Sequence, residues 1–108
     1  SRRGAQGVSP HGLTQVVNGE SALVVDLREK AEYAAGHIVD AVNVPYAQVK
    51  QQMSMLEDNK SRPIIFVCKM GQQSSALCKQ LREQGFEKIF RLSGGMMEWQ
   101  SAQMPLVK

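Results

Sequence analysis

Two cysteines, two histidines and a single tryptophan are all that 108 residues hold of the side chains that dominate redox, metal and stacking chemistry. Disulfide frameworks in small secreted domains generally use more cysteine than this. Cys68 and Cys78 fall at the base and the far end of one loop-helix unit, a placement that puts them beyond disulfide reach. Both are read as reduced thiols, which implies a reducing, cytoplasmic compartment. There is no CxxC and no Cys/His cluster, and His11 and His37 are far apart, so no metal is expected. No apolar run approaches the length of a membrane span, and no secretory leader pattern is visible. The 13 Lys and Arg residues are scattered among 10 Asp and Glu, with no basic block and no basic-aromatic alternation. That argues against a nucleic-acid binder. A net charge of +3 fits a mixed surface with a slight bias towards anionic ligands.

What is present is ordinary for a globular domain: 43% hydrophobic and 21% charged residues, enough for one modest core. Residues 1–8 read as a flexible lead-in or linker, and residues 9–108 as a single domain, expected to be a monomer. The chain opens on Ser1, not Met, and its polar, basic start is linker-like; an excised domain, tethered to a membrane by a segment before Ser1, is one alternative beside a free cytoplasmic domain.

Turn and periodicity signals divide the rest. Ser9-Pro10 is a helix start, with Ser9 as N-cap and Pro10 in the first turn. Leu13, Val16 and Val17 share one helical face, and Asn18-Gly19 ends the helix. Ala22 to Leu27 is an apolar run, continuous up to its capping Asp26, as expected of a strand buried on both faces. A short helix over 29–35 stops at Gly36. A strand over 41–44 ends at Pro45, and a helix runs from Tyr46 to Leu56. Ile64 to Val67 is a second buried strand. A helix over 74–84 closes at Gly85, and Ile89 to Leu92 is a further strand. Gly94-Gly95 turns into a last helix carrying Met96, Met97 and Trp99, all read as core filling, before Pro105. Strands interleaved with helices predict an α/β domain with a mainly parallel sheet. In such sheets ligands bind beyond the carboxyl ends of the strands.

Cys68 sits at such an end, in the stretch FVCKMGQQSSALCKQL. A thiol is a nucleophile only as thiolate, and an unperturbed one, with pKa ~8.5, is mostly protonated at neutral pH. Three features of the loop can hold a sulfur anion. The following helix presents free N–H groups at its first turn. The loop Lys69-Met70-Gly71-Gln72-Gln73 can turn its amides inward, with Gly71 supplying backbone freedom. Lys69 adds a cation, and Ser74 is placed to cap the helix or offer its hydroxyl. Cys78, mid-helix beside Leu77 and Leu81, reads as inert core.

Several segments in order resemble single-domain rhodanese-like proteins, the thiosulfate sulfurtransferase family. VVDLREKAEYAAGHIVDAVNVP resembles the family's aspartate-x-arginine segment followed by glycine-histidine-isoleucine and asparagine-x-proline. FVCKMGQQSS resembles its active-site loop, and GFEKIFRLSGGMMEW its closing strand, double glycine and tryptophan. The resemblance covers Ala22 to Trp99. It implies a twisted, mostly parallel five-stranded sheet with helices on both faces. It implies that Cys68 takes sulfane sulfur from thiosulfate, holds it as a persulfide cradled by the amides from Lys69 to Ser74, and passes it to cyanide or a thiol. No cofactor is needed, and a sulfur-relay protein is a possible partner. Asp26 and Arg28 match the family's aspartate and arginine and are expected to be scaffold, Arg28 pairing with a carboxylate such as Glu32. His37 matches the family's histidine, read as a loop-fixing residue.

Many active relatives carry arginine in this loop, whereas Lys69 is its only formal charge here. Lysine cannot grip a sulfonate in bidentate fashion. Thiosulfate is therefore expected to be a modest donor, and a persulfide on another protein is the alternative. A phosphatase of related fold would place arginine where Ser74 stands, and the next arginine, Arg82, lies beyond the loop, so phosphoryl transfer lacks its clamp. The other reading is a rhodanese-fold module that binds without turnover. Sulfur uptake by Cys68 separates the two.

Overall fold

The computed structural model describes residues 6–108. Five parallel strands form one sheet in the order β1-β5-β4-β2-β3. The strands are β1 (Gly7–Val8), β2 (Leu23–Asp26), β3 (Val42–Asn43), β4 (Ile64–Val67) and β5 (Ile89–Leu92). The helices are α1 (Pro10–Glu20), α2 (Lys30–Ala35), α3 (Met53–Asp58), α4 (Gln72–Glu83) and α5 (Gly95–Ser101). The α/β class and the five-stranded sheet are as the sequence predicts, and every strand pair is parallel.

β4 occupies the centre because all four of its residues are apolar and have no solvent exposure. Such a strand needs cover on both faces. Its alternate side chains feed two cores. Ile64 and Phe66 pack with Val25, Leu77, Cys78 and Leu81 on the α3–α4 side. Ile65 and Val67 pack with Val24, Leu13, Met96 and Trp99 on the α1–α5 side. Each large side chain buried this way contributes roughly 2 kcal/mol.

Three local outcomes differ from expectation. The lead-in proposed over residues 1–8 lies mostly outside the described residues, but Gly7 and Val8 form edge strand β1, in register with Arg91 and Leu92. Two residues carry no period of their own; the exposed edge of β5 recruits them. The first helix runs through Gly19 to Glu20, because Ser21 takes the left-handed cap conformation and returns its N–H to Val17 O at 3.0 Å. The span expected as one helix from Tyr46 to Leu56 begins as a 3-10 helix over Tyr46–Gln52 and becomes α3 only at Met53. No helix of the described residues is long and apolar enough to cross a membrane.

Candidate active site

Cys68 follows directly on β4, at the carboxyl edge of the sheet, and is 2% exposed. The chain then needs only Lys69, Met70 and Gly71 to turn into α4, which starts at Gln72, two residues earlier than its sequence suggests. Gly71 is the N-cap, at φ 106°, a conformation that strains any residue with a Cβ. Ser74 is therefore not the cap. It lies inside the first turn, with no exposure, and its hydroxyl donates to Gly71 O at 3.2 Å.

This geometry aims three polar groups at the sulfur. Gly71 N–H donates to Cys68 Sγ at 3.1 Å, Ser74 N–H at 3.4 Å, and Ser74 Oγ stands 3.4 Å away. Amides at a helix start have no intrahelical acceptor, so sulfur takes them without competition. Of the amides expected to form a cradle from Lys69 to Ser74, those of Gly71 and Ser74 reach Sγ itself.

The loop is held from behind by α5. Met96 N–H donates to Cys68 O at 2.8 Å and Met97 N–H to Lys69 O at 3.1 Å. These bonds turn the loop's carbonyls away from the sulfur and leave its amides facing inward. Gly95 makes the approach possible; a Cβ there would lie 2.5 Å from Cys68 O. The sequence reading takes Gly94-Gly95 only as a turn and misses this contact. The one signal available was the second glycine, since a turn alone needs one.

A pocket of about 310 Å³ opens beside Cys68, lined by Lys69, Met70, Gln72 and Gln73 together with Leu27, Arg28, Glu29 and Glu32. Arg28 does not pair with Glu32 as expected. Its Nε and Nη2 grip Asp26 in a bidentate pair at 3.0 and 2.8 Å, and Nη2 also donates to Gly36 O at 2.8 Å. Asp26 and Arg28 flank Leu27 at the strand end, so the turn brings them together. Glu32 is instead occupied capping α2, accepting from Glu29 N–H at 3.2 Å. Asn43 locks the same turn, donating to Asp26 O and Arg28 O, both at 2.9 Å. With Arg28 neutralised, Lys69 is the cation lining the pocket that has no carboxylate partner among the described residues.

His37 does not line this pocket. Its Nδ1 is 2.8 Å from Tyr33 O, its ring stacks on Tyr33 at 3.7 Å, and its backbone bridges to Val107. Cys78 is free like Cys68, but burial pushes its thiol up to about 12, and its Sγ donates to Phe90 O at 3.3 Å. It is a core residue, unsuited to nucleophilic work at neutral pH. No group of three or more His, Cys, Asp and Glu side chains that could hold a metal occurs among the described residues.

Comparison with known proteins adds an independent line. The family model of the rhodanese-like domain matches residues 9–102. A protein named sulfurtransferase from Allochromatium vinosum is 33% identical over 101 residues, covering 93% of this chain and 92% of its own length. The protein YibN of Escherichia coli K12 is 33% identical over 96 residues, 88% of this chain and 67% of its own. Among solved structures, the rhodanese-like domain of Anabaena Alr3790 superposes with a TM-score of 0.80 at 28% identity, covering 94% of this chain and 78% of that one.

Proposed function

The chain belongs to the rhodanese-like family, and from that premise we propose that it is a sulfurtransferase in which Cys68 carries the sulfur. The observation that supports this reading best is the convergence of two backbone donors, Gly71 N–H and Ser74 N–H, on Cys68 Sγ, with the Ser74 hydroxyl 3.4 Å away. Donors fixed in advance around a buried sulfur stabilise negative charge on it without reorganisation. A thiolate so held attacks the outer sulfur of thiosulfate. The S–S bond of thiosulfate breaks, sulfite leaves with the bonding pair, and Cys68 keeps the sulfane sulfur as a persulfide. An acceptor, cyanide or a thiol, then attacks the outer sulfur, and Cys68 is released as thiolate.

Lys69 and the loop amides attract the anionic donor, whereas Glu29 and Glu32 on the facing wall oppose it. The balance favours thiosulfate as a modest donor and leaves room for a persulfide brought by a sulfur-relay protein. Asp26, Arg28 and His37 act as scaffold: the first two fix the wall of the pocket and the third fixes the loop behind it.

The test is thiocyanate production from thiosulfate and cyanide. Wild type should turn over, Cys78→Ala should keep most of the rate, and Cys68→Ser should fall to background while retaining the folded spectrum. A rate in Cys68→Ser above a few per cent of wild type contradicts the assignment.

A further inference from the structure

A second depression lies on the other side of the active-site loop. It is lined by Met70, Gly71 and Gln72, by Ser75, Ala76 and Lys79 along α4, and by Arg91 and Gly94. It shares Met70 and Gln72 with the Cys68 pocket, and its Gly71 is the residue whose amide holds Sγ. Gln72, Ser75, Ala76 and Lys79 follow the i, i+3, i+4, i+7 spacing of one helical face, so they form a continuous wall.

The charges differ sharply between the two recesses. The Cys68 pocket carries Glu29 and Glu32 against Arg28 and Lys69. The second groove carries Lys79 and Arg91 and no acidic residue. Neither cation has a carboxylate partner among the described residues. Arg91 pairs in register with Phe66 on β4, two residues before Cys68, and its side chain enters the α4 side of the sheet. Its Nε–H is covered and has no hydrogen-bond partner among the described residues. Nε itself is covered, so an anion meets the part of this half-buried side chain that lines the groove, where the guanidinium charge strengthens the contact.

We infer that the Lys79–Arg91 groove is a subsite for a carboxylate carried by the sulfur acceptor, so that the acceptor is a peptidyl thiol with an acidic group at a set distance. Lys79 stands seven residues along α4 from Gln72, about 10 Å at helical rise. An extended peptide covers that distance in about three residues. Gln72 borders both recesses, so an acceptor of about this length places its thiol at the Cys68 persulfide and its carboxylate against Lys79 and Arg91, clear of Glu29 and Glu32. The transfer itself is balanced: the acceptor thiolate bonds to the outer sulfur, the Cys68 S–S bond breaks, and its electron pair leaves on Cys68. This inference rests on Cys68 being the sulfur carrier.

Two blocked peptides of the form Cys-Gly-Gly-X, with X either Glu or its isostere Gln, test it on the full chain. Within each protein the rate of persulfide discharge by the Glu peptide is divided by that of the Gln peptide. Wild type should show a ratio of about tenfold, falling with added salt, as expected for a charge-assisted contact. Lys79→Gln and Arg91→Gln should each bring the ratio to within about twofold. A wild-type ratio near one, or a ratio unmoved by Lys79→Gln, an exposed substitution that leaves the core intact, overturns the inference. S-methylated versions of both peptides, which cannot accept sulfur, are titrated into the unloaded protein while the Arg91 Nε–H resonance is followed. A shift with the Glu peptide alone, lost in Lys79→Gln, supports the groove even if thiosulfate fails to load Cys68. No such shift overturns it. Failure to load with the shift intact counts against the sulfur-carrier reading instead.

Discussion

Gly95 lies against the backbone of Cys68 so closely that a Cβ on it would stand 2.5 Å from Cys68 O and 2.7 Å from Lys69 O. The residue sits at φ 62°, so two constraints act on it at once: left-handed backbone and contact with main chain that cannot move aside. The first turn of α5 then supplies the amides of Met96 and Met97 to the loop carbonyls. Orientation of the sulfur cradle therefore depends on a residue far from Cys68 in sequence that touches no substrate.

Gly95→Ala should lower thiocyanate production at least about tenfold and cost about 1–3 kcal/mol in stability, the range for strain at such a position. Steady-state rates and urea unfolding measure the two effects. An unchanged rate would show that α5 does not set the loop.

The Asp26–Arg28 pair is buried, with side-chain exposures of 1% and 8%. Removing one partner strands the other, so Asp26→Ala should destabilise by about 3–5 kcal/mol. Replacing both, as Asp26→Leu with Arg28→Met, should cost less than either single change, because no charge is left uncompensated. Urea midpoints of the three variants decide this; a double variant weaker than both singles would mean that the bonds these side chains make to main chain, Arg28 Nη2 to Gly36 O and Arg28 N–H to Asp26 Oδ1, matter more than the pair.

Cys78 gives a pH signature. Its folded pKa, at about 12, lies above the ordinary thiol value of 9.0 because burial disfavours the thiolate. The folded state holds the proton more tightly, so the thiol's contribution is fully present below about pH 9 and is lost as pH rises towards 12. Between pH 8 and 10, wild type should lose about 1 kcal/mol relative to Cys78→Ala. Parallel stability curves for the two proteins would contradict the burial account. At neutral pH the variant should keep most of its transferase rate.

Glu29 lines the Cys68 pocket while exposed to solvent, so any effect on the proposed anionic donor is electrostatic and screened. Glu29→Gln should raise the second-order rate with thiosulfate by roughly two- to fivefold at low salt, and less at high salt. Lys69→Ala should move it the other way. If neither rate depends on salt, these charges do not steer the donor.

The parts of the fold that were readable in sequence are those fixed by local pattern. IIFV could only be a strand covered on both faces, and a thiol at its end could only lie on the sheet's carboxyl edge. The Ser9-Pro10 start and the inert placement of Cys78 were equally local. What could not be read depends on meetings between distant segments. Arg28 had three carboxylates within four residues, Asp26, Glu29 and Glu32, and only the turn after β2, tied by Asn43, chooses Asp26. The start of α4 moved to Gln72 because Gly71 caps through its backbone, which frees Ser74 to face the sulfur. Gly7 and Val8 became a strand only because β5 has an open edge beside them. The clamp of Gly95 on Cys68 and the groove between Lys79 and Arg91 both arise where β5 and α5 return to the loop.

The central claim is that Cys68 accepts sulfur, and intact-mass analysis tests it most directly. Wild type and Cys68→Ser are incubated with thiosulfate and weighed before and after cyanide. The account predicts a gain of one sulfur atom on wild type, mapped to Cys68, removed by cyanide with release of thiocyanate, and no gain on Cys68→Ser. A folded wild-type protein that gains no sulfur from thiosulfate or from a protein persulfide, or a gain that persists in Cys68→Ser, would contradict it.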